Sequence, residues 1–139
     1  MTIRFLLDTN VLSEPTRPTP DPKTLARLRR HDGALATCAP VWHELVFGVS
    51  RLPVSRRRRA LDRYLQEVIL ATLPILPYDA AAAAWHGRER ARLQRKGISP
   101  SFADGQIAAI AKVHGLTVVT RNTADFRRFE ALDVVAWSR

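Results

Sequence analysis

The segment that most constrains this chain is Ile3-Arg4-Phe5-Leu6-Leu7-Asp8-Thr9-Asn10, close to its start. Phe5, Leu6 and Leu7 form a short apolar run, the pattern of a strand buried on both faces of a parallel sheet. A carboxylate, a hydroxyl and an amide follow at once, and Val11-Leu12-Ser13-Glu14 then begins a helical turn. Open α/β sheets place their ligands at such carboxyl ends of strands. Asp8 or Asn10 would serve equally well as a plain helix cap. The turn gains meaning only from what the rest of the chain brings to it.

The same alternation continues downstream. Pro15 to Pro22 reads as a stiff loop, and Asp21 caps a helix that has Pro22 at its first position and runs to about Arg30. Ala34 to Cys38 reads as a second buried strand. Pro40 opens a helix carrying Trp42, Glu44, Leu45, Val46 and Val49, with Gly48 and Pro53 marking its end. Ser55 caps a long helix to about Leu73, striped by Leu61, Leu65, Val68 and Ile69. Pro74 to Tyr78 is a short strand whose prolines suit a sheet edge. Asp79 caps a helix from Ala80 to Lys96, closed by Gly97, and a further helix runs from Ser101 to His114, closed by Gly115. Leu116 to Thr120 is the most strand-like stretch of all, Arg121 to Phe126 turns into one more helical turn, and Val134 to Ala136 is a last strand. Strands alternating with helices predict a mostly parallel sheet with helices on both faces. At 139 residues the simplest organisation is one domain over 1–139.

This alternation gathers acidic groups that are far apart in sequence. Asp8 follows the first strand, Glu44 lies near the start of the helix after the second, Asp104 opens the helix before the fourth, and Asp125 follows the fourth. In a parallel sheet the helices run opposite to the strands, so helix starts and strand ends share one rim. Each acid has a structural alternative: Asp104 completes a near capping box with Ser101, Asp125 could cap the short helix after it, and Glu44 could favour the helix dipole. Asp79, at a similar junction, is read as a cap alone. Together the other four would repel one another unless a cation joined them, and oxygen-only ligands point to Mg²⁺ or Mn²⁺.

Composition narrows the chemistry further. Cys38 is the only cysteine, which excludes an internal disulfide and a Cys-cluster zinc site. His31, His43, His86 and His114 show no metal spacing and are expected at the surface or partly packed. Neither a phosphate-binding glycine loop nor a nucleophile elbow occurs. The net charge of +9, with 19 arginines among the 22 basic residues, suits phosphate or an acidic protein partner. Arg56, Arg57, Arg58 and Arg59 with Arg63 form one basic run, and Arg88, Arg92 and Arg95 a second stripe. Such runs are most simply solvated faces; Arg56, Arg57, Arg59, Arg88, Arg92 and Arg121 are the candidates for RNA or partner contact. No apolar stretch is long enough to span a bilayer, so a cytoplasmic protein with no membrane attachment is expected.

Four segments in order resemble the successive motifs of PIN-domain ribonucleases, and specifically VapC-type toxins of toxin–antitoxin pairs. They are Leu6-Leu7-Asp8-Thr9-Asn10-Val11-Leu12, Trp42-His43-Glu44-Leu45-Val46-Phe47-Gly48, Ala103-Asp104-Gly105-Gln106-Ile107-Ala108-Ala109 and Val119-Thr120-Arg121-Asn122-Thr123-Ala124-Asp125-Phe126. The resemblance implies a three-layer α/β/α fold around five parallel strands and an Mg²⁺- or Mn²⁺-dependent endoribonuclease. It implies that Asp8, Glu44 and Asp104 bind metal and that Asp125 and Asn122 share a fourth position, where many relatives carry a carboxylate in place of Asn122. Asn10 would orient Asp8, and Thr120 would be an accessory residue. The implied partners are a cognate antitoxin protein, an RNA substrate and a second copy of the chain, with operator DNA reached only through the antitoxin.

Two other readings compete. A haloacid-dehalogenase-like phosphatase also begins with strand and Asp, but needs a second Asp where this chain has Asn10, and a later Lys and acidic pair that are not evident. A catalytically idle RNA- or protein-binding module would use the arginines and leave the carboxylates as caps. Divalent-dependent cleavage separates that module from a nuclease. No side chain stands out as a general base, which leaves water activation to a bound ion.

Overall fold

A computed structural model describes residues 2–138. Five strands form a sheet in the order β3-β2-β1-β4-β5: β1 (Phe5–Leu7), β2 (Leu35–Cys38), β3 (Ile75–Leu76), β4 (Thr117–Val119) and β5 (Val134–Val135). Every pairing is parallel, with Phe5 opposite both Leu35 and Thr117. The apolar run at the start of the chain is therefore the central strand, buried along its whole length. β3, flanked by Pro74 and Pro77, lies at one edge, where a missing N–H costs no ladder bond.

The helices are α1 (Thr9–Leu12), α2 (Pro22–Arg30), α3 (Ala39–Ser50), α4 (Arg56–Tyr64), α5 (Ala80–Arg95), α6 (Phe102–His114) and α7 (Thr123–Phe126). Their starts follow the expected chemistry. The side chains of Asp21, Ser55, Asp79 and Ser101 accept backbone N–H groups of Thr24, Arg58, Ala82 and Asp104 at 2.9–3.1 Å. Gly115, at φ 66°, ends α6 in the left-handed conformation that glycine adopts without strain. α3 continues through Gly48 and ends at Ser50, between the Gly48 and Pro53 that mark its end in the sequence.

The expected helix from Ser55 to Leu73 is not uniform. α4 gives way at Leu65–Leu70 to a π-helical turn. There the Tyr64 hydroxyl donates to the Leu12 carbonyl at 2.7 Å, while Leu65 and Ile69 are buried. The wider turn swings Val68 off the buried stripe, and it is 48% exposed.

The strand order reverses on either side of β1. The chain builds β2 and β3 outward on one side, then returns to lay β4 and β5 on the other. Right-handed crossovers in these opposite directions put helices on both faces of the sheet. The core between the layers includes Leu6, Leu7, Val118, Val119, Ile107, Ile110 and Phe126, all essentially inaccessible to solvent. The switch point lies between β1 and β4, where two adjacent strand ends diverge into different helices. Asp8 and Thr120 stand at that gap.

Candidate active site

Asp8 is the residue immediately after β1, and its backbone N–H donates to the Val119 carbonyl at 3.0 Å, which ties it to the end of β4. Its side chain is fixed on both oxygens. One accepts the Thr9 N–H at 2.8 Å as the cap of α1, and the other accepts the Thr120 hydroxyl at 2.8 Å and the Asn10 amide at 3.4 Å. A carboxylate offers roughly four lone-pair sites, so three donors leave room for a cation. Burial raises the Asp8 pKa; the Thr120 hydroxyl and the Thr9 N–H pull it back, while the charges of Asp104 and Glu44 push it up further.

Thr120 and Asn10 bind the switch point together. The wholly buried Thr120 hydroxyl also accepts the Asn122 N–H at 3.0 Å and the Asn10 amide at 3.4 Å. The Asn10 carbonyl oxygen accepts the Arg121 N–H at 3.1 Å. Asn10 thus joins the turn after β1 to the turn after β4 and contacts Asp8 from the side.

The other acids approach from helix starts. Glu44, exposed in the second turn of α3, accepts the Thr9 hydroxyl at 2.7 Å. Asp104 lies in the first turn of α6, half-buried. Its pKa is raised, first by burial and then by the charges of Asp125 and Glu44, against the lowering effects of Ser101 and Arg128. Asp125, in α7, keeps 48% of its side chain exposed and has the Arg128 guanidinium at 3.5 Å. Of the four acids expected at one rim, Asp104 and Glu44 contribute to the raised pKa of Asp8, and Asp125 and Glu44 to that of Asp104. Among the described residues, no three His, Cys, Asp or Glu side chains are grouped so that they could hold a metal ion as they stand. Asn122 is exposed at the start of α7, and its side chain does not cap that helix.

The basic candidates divide. Arg57 lines a groove of about 460 Å³ that reaches the rim through Thr9 and Glu44 and is floored by Leu45, Val49 and Tyr64. Arg56, Arg59 and Arg88 are exposed. Arg121 makes an ion pair with Glu14 at 3.6 Å. Arg92, expected on an exposed stripe, turns inward instead, gripping buried Glu89 through two bonds of 2.6 and 2.8 Å. The i, i+3 spacing of Glu89 and Arg92 allows that grip, and it holds the Glu89 pKa below its usual range.

Three features lay outside the sequence reading. Thr9, whose hydroxyl links α1 to Glu44, carried no signal beyond its place in the polar turn. Glu14 is 3% exposed and accepts the Asp21 N–H at 2.9 Å and an Arg17 guanidinium N–H at 3.3 Å. Its position after apolar Val11 and Leu12, one helical turn on, is the cue to its burial. His86, expected at the surface or partly packed, is buried: its Nδ1 meets the Tyr78 hydroxyl at 2.8 Å and its ring lies 4.8 Å from Phe102. That packing needs Gly105, since a Cβ there would stand 2.1 Å from His86 Nε2. Gly105 adjoins Asp104, so the α5–α6 contact helps set where Asp104 begins its helix.

A sequence profile of the PIN domain matches residues 5–132. The chain belongs to the PIN-domain family. Among its PIN-domain relatives, the toxin FitB of Neisseria gonorrhoeae is 39% identical over 127 residues, covering 88% of this chain and 90% of the relative. The tRNA(fMet)-specific endonuclease VapC of Shigella flexneri is 31% identical over 136 residues, covering 98% and 99%. The structure of FitAB bound to an IR36 DNA fragment superposes with a TM-score of 0.87 at 34% identity, covering 97% of this chain and 96% of that one. The parallel five-stranded sheet between helices is therefore the PIN fold, as the motif resemblance implied. No helix among the described residues is long and apolar enough to cross a membrane.

Proposed function

We propose that this protein is a Mg²⁺- or Mn²⁺-dependent endoribonuclease that acts as the toxin of a toxin–antitoxin pair. The observation that carries the reading is the placement at the switch point of Asp8, held by Thr9, Thr120 and Asn10, and of Glu44, which accepts the Thr9 hydroxyl, with Asp104 and Asp125 in the first turns of α6 and α7. Like charges held together without a counter-charge are unfavourable, and a divalent cation with oxygen preference relieves them. The donor set has the chemistry that such an ion prefers. It is all carboxylate oxygen, and Asp8 retains acceptor capacity after its three hydrogen bonds.

Asp8, Glu44 and Asp104 would hold the ion, with Asp125 completing the site. When bound, the ion neutralises charge developing on the phosphoryl oxygens and eases deprotonation of the attacking water. The chain's own residues prepare that chemistry. Thr120, Thr9 and Asn10 fix the Asp8 carboxylate in one orientation, and the Thr9 hydroxyl holds Glu44 toward it. Ser101 caps α6 and sets the direction in which Asp104 projects. Such partners of a ligand matter nearly as much as the ligand itself.

The toxin role is supported by the names and assemblies of the relatives, including a VapBC complex from Salmonella typhimurium bound to DNA that superposes with a TM-score of 0.84 at 28% identity. A basic surface suits an acidic antitoxin segment, and the groove beside Glu44 offers apolar footing for it. DNA would be reached through the antitoxin. The test is cleavage of tRNA, rRNA and mRNA by the purified chain with Mg²⁺, Mn²⁺ or EDTA, paired with expression of the chain alone and with its neighbouring small open reading frame. Divalent-dependent cleavage, growth arrest alone and rescue with a co-purifying partner are expected. Cleavage that survives EDTA defeats the metal dependence, and no cleavage in either metal defeats the nuclease reading. Harmless soluble expression with no co-purifying partner defeats the toxin reading.

A further inference from the structure

We propose that Arg128 is a substrate-binding residue that takes an RNA phosphate at the carboxylate rim, and that Glu89 and Arg92 are positioning residues for it. The proposal rests on the ribonuclease reading above. Arg128 follows α7 and reaches back one turn to Asp125, its Nη2 3.5 Å from Oδ1. A guanidinium thus stands beside one of the four acids of the rim.

The side chain is free to change partners while its backbone is not. Arg128 and Asp125 are 44% and 48% exposed and meet at a long distance, and an exposed pair of that kind contributes little. Most of the planar fork remains available for the bidentate geometry that phosphate oxygens favour. The backbone, in contrast, is pinned on both sides. The Arg128 carbonyl accepts Arg92 Nη2 at 3.2 Å, and the Glu130 N–H donates to buried Glu89 at 2.5 Å. Phe126 and Phe129, both buried, anchor the same turn in the core. Glu89 and Arg92 therefore have a task in fixing the turn from which Arg128 projects. Arg127, next to it in the chain, bonds to Thr123 at the start of α7, its guanidinium meeting the hydroxyl at 3.4 Å, and serves as the control.

The experiment uses the full chain and a 5′-labelled single-stranded RNA that the wild type cleaves. With Mn²⁺, Arg128→Ala should lower kcat/KM by about 10–100-fold, the range for one lost charge-assisted hydrogen bond. Arg128→Lys should recover part of the loss, and Arg127→Ala should stay near wild type. In EDTA, without turnover, Arg128→Ala should flatten the slope of log affinity against log salt by about 0.7, one phosphate contact on a single strand. Glu89→Gln should cost less than Arg128→Ala and add little to it in the double variant, whereas a purely structural role would add fully. Equal effects of Arg127→Ala and Arg128→Ala, an unchanged salt slope, or faster cleavage by Arg128→Ala would overturn the proposal while wild-type cleavage kept the nuclease reading. Failure of the wild type to cleave overturns both.

Discussion

Replacing Thr120 by valine keeps nearly the same shape and removes one hydroxyl from the centre of the switch point. That hydroxyl is wholly buried and makes a 2.8 Å bond to Asp8, with further bonds to Asn122 N–H and the Asn10 amide. A hydrogen bond to a charged group contributes roughly 1.5–3 kcal/mol, and the carboxylate left behind remains in its buried setting. We expect a loss of about 2 kcal/mol at neutral pH, which in a domain of this size lowers Tm by roughly 6–10 °C. The pH dependence gives a sharper signature. Asp8 already has a raised pKa, so the stability of its protonated form is present below 3.8 and is lost as pH rises through the folded pKa. Thr120 opposes that rise, so removing it pushes the pKa higher and deepens the loss on the alkaline side. The melting difference between Thr120→Val and wild type, measured by circular dichroism in EDTA, should be large at pH 7.5 and shrink as Asp8 becomes protonated. In an Asp8→Asn background the Thr120→Val effect should fall by half or more. A Tm change under about 2 °C at pH 7.5, or the same change at every pH, would refute this reasoning.

Other substitutions separate neighbouring roles. Asp104→Asn should raise Tm in EDTA at neutral pH by a few degrees while abolishing cleavage. Its ionised form is disfavoured by burial and by Asp125 and Glu44, so the gain should vanish below 3.8, where the wild-type group is also protonated. Gly105→Ala must move His86, because the new Cβ would lie 2.1 Å from Nε2. Overpacking of this kind costs about 1–3 kcal/mol, visible in a thermal melt, and a shifted α6 start should also slow cleavage, by as much as about 10²-fold. Asp125→Ala should reduce turnover more than Asn122→Ala, since Asp125 is the one whose charge reaches Asp104; the reverse order in a cleavage assay would reassign the fourth position.

The sequence made the rim legible for a simple reason. Strand ends and helix starts are local features, marked by short apolar runs and capping residues, and a parallel sheet puts them on one side. Asp8, Glu44, Asp104 and Asp125 could therefore be assembled without knowing the strand order. Contacts that depend on side-chain reach could not. The i, i+3 spacing to Glu89 allowed the inward turn of Arg92, and Arg88 has no such partner, but nothing local showed that Glu89 would be buried. Thr120 looked accessory because its role depends on β1 and β4 being neighbours, a pairing of segments more than a hundred residues apart. The π-helical turn at Leu65–Leu70 was hidden because a stripe of Leu61, Leu65, Val68 and Ile69 fits an ordinary helix; only the tertiary tie of Tyr64 to Leu12 marks the spot. Gly105 gave no warning either, since the reason for it is a histidine on another helix.

The most direct test of the account is calorimetric titration of the RNA-free protein with Mn²⁺. The account predicts saturable binding in the wild type, weakened at least tenfold by Asp8→Asn, Glu44→Gln or Asp104→Asn. It predicts no change in Asp79→Asn, whose carboxylate caps α5 through the Ala82 N–H. Absence of binding in the wild type, or equal weakening by Asp79→Asn, would contradict the claim that the acids at the β1–β4 switch point form one divalent-ion site.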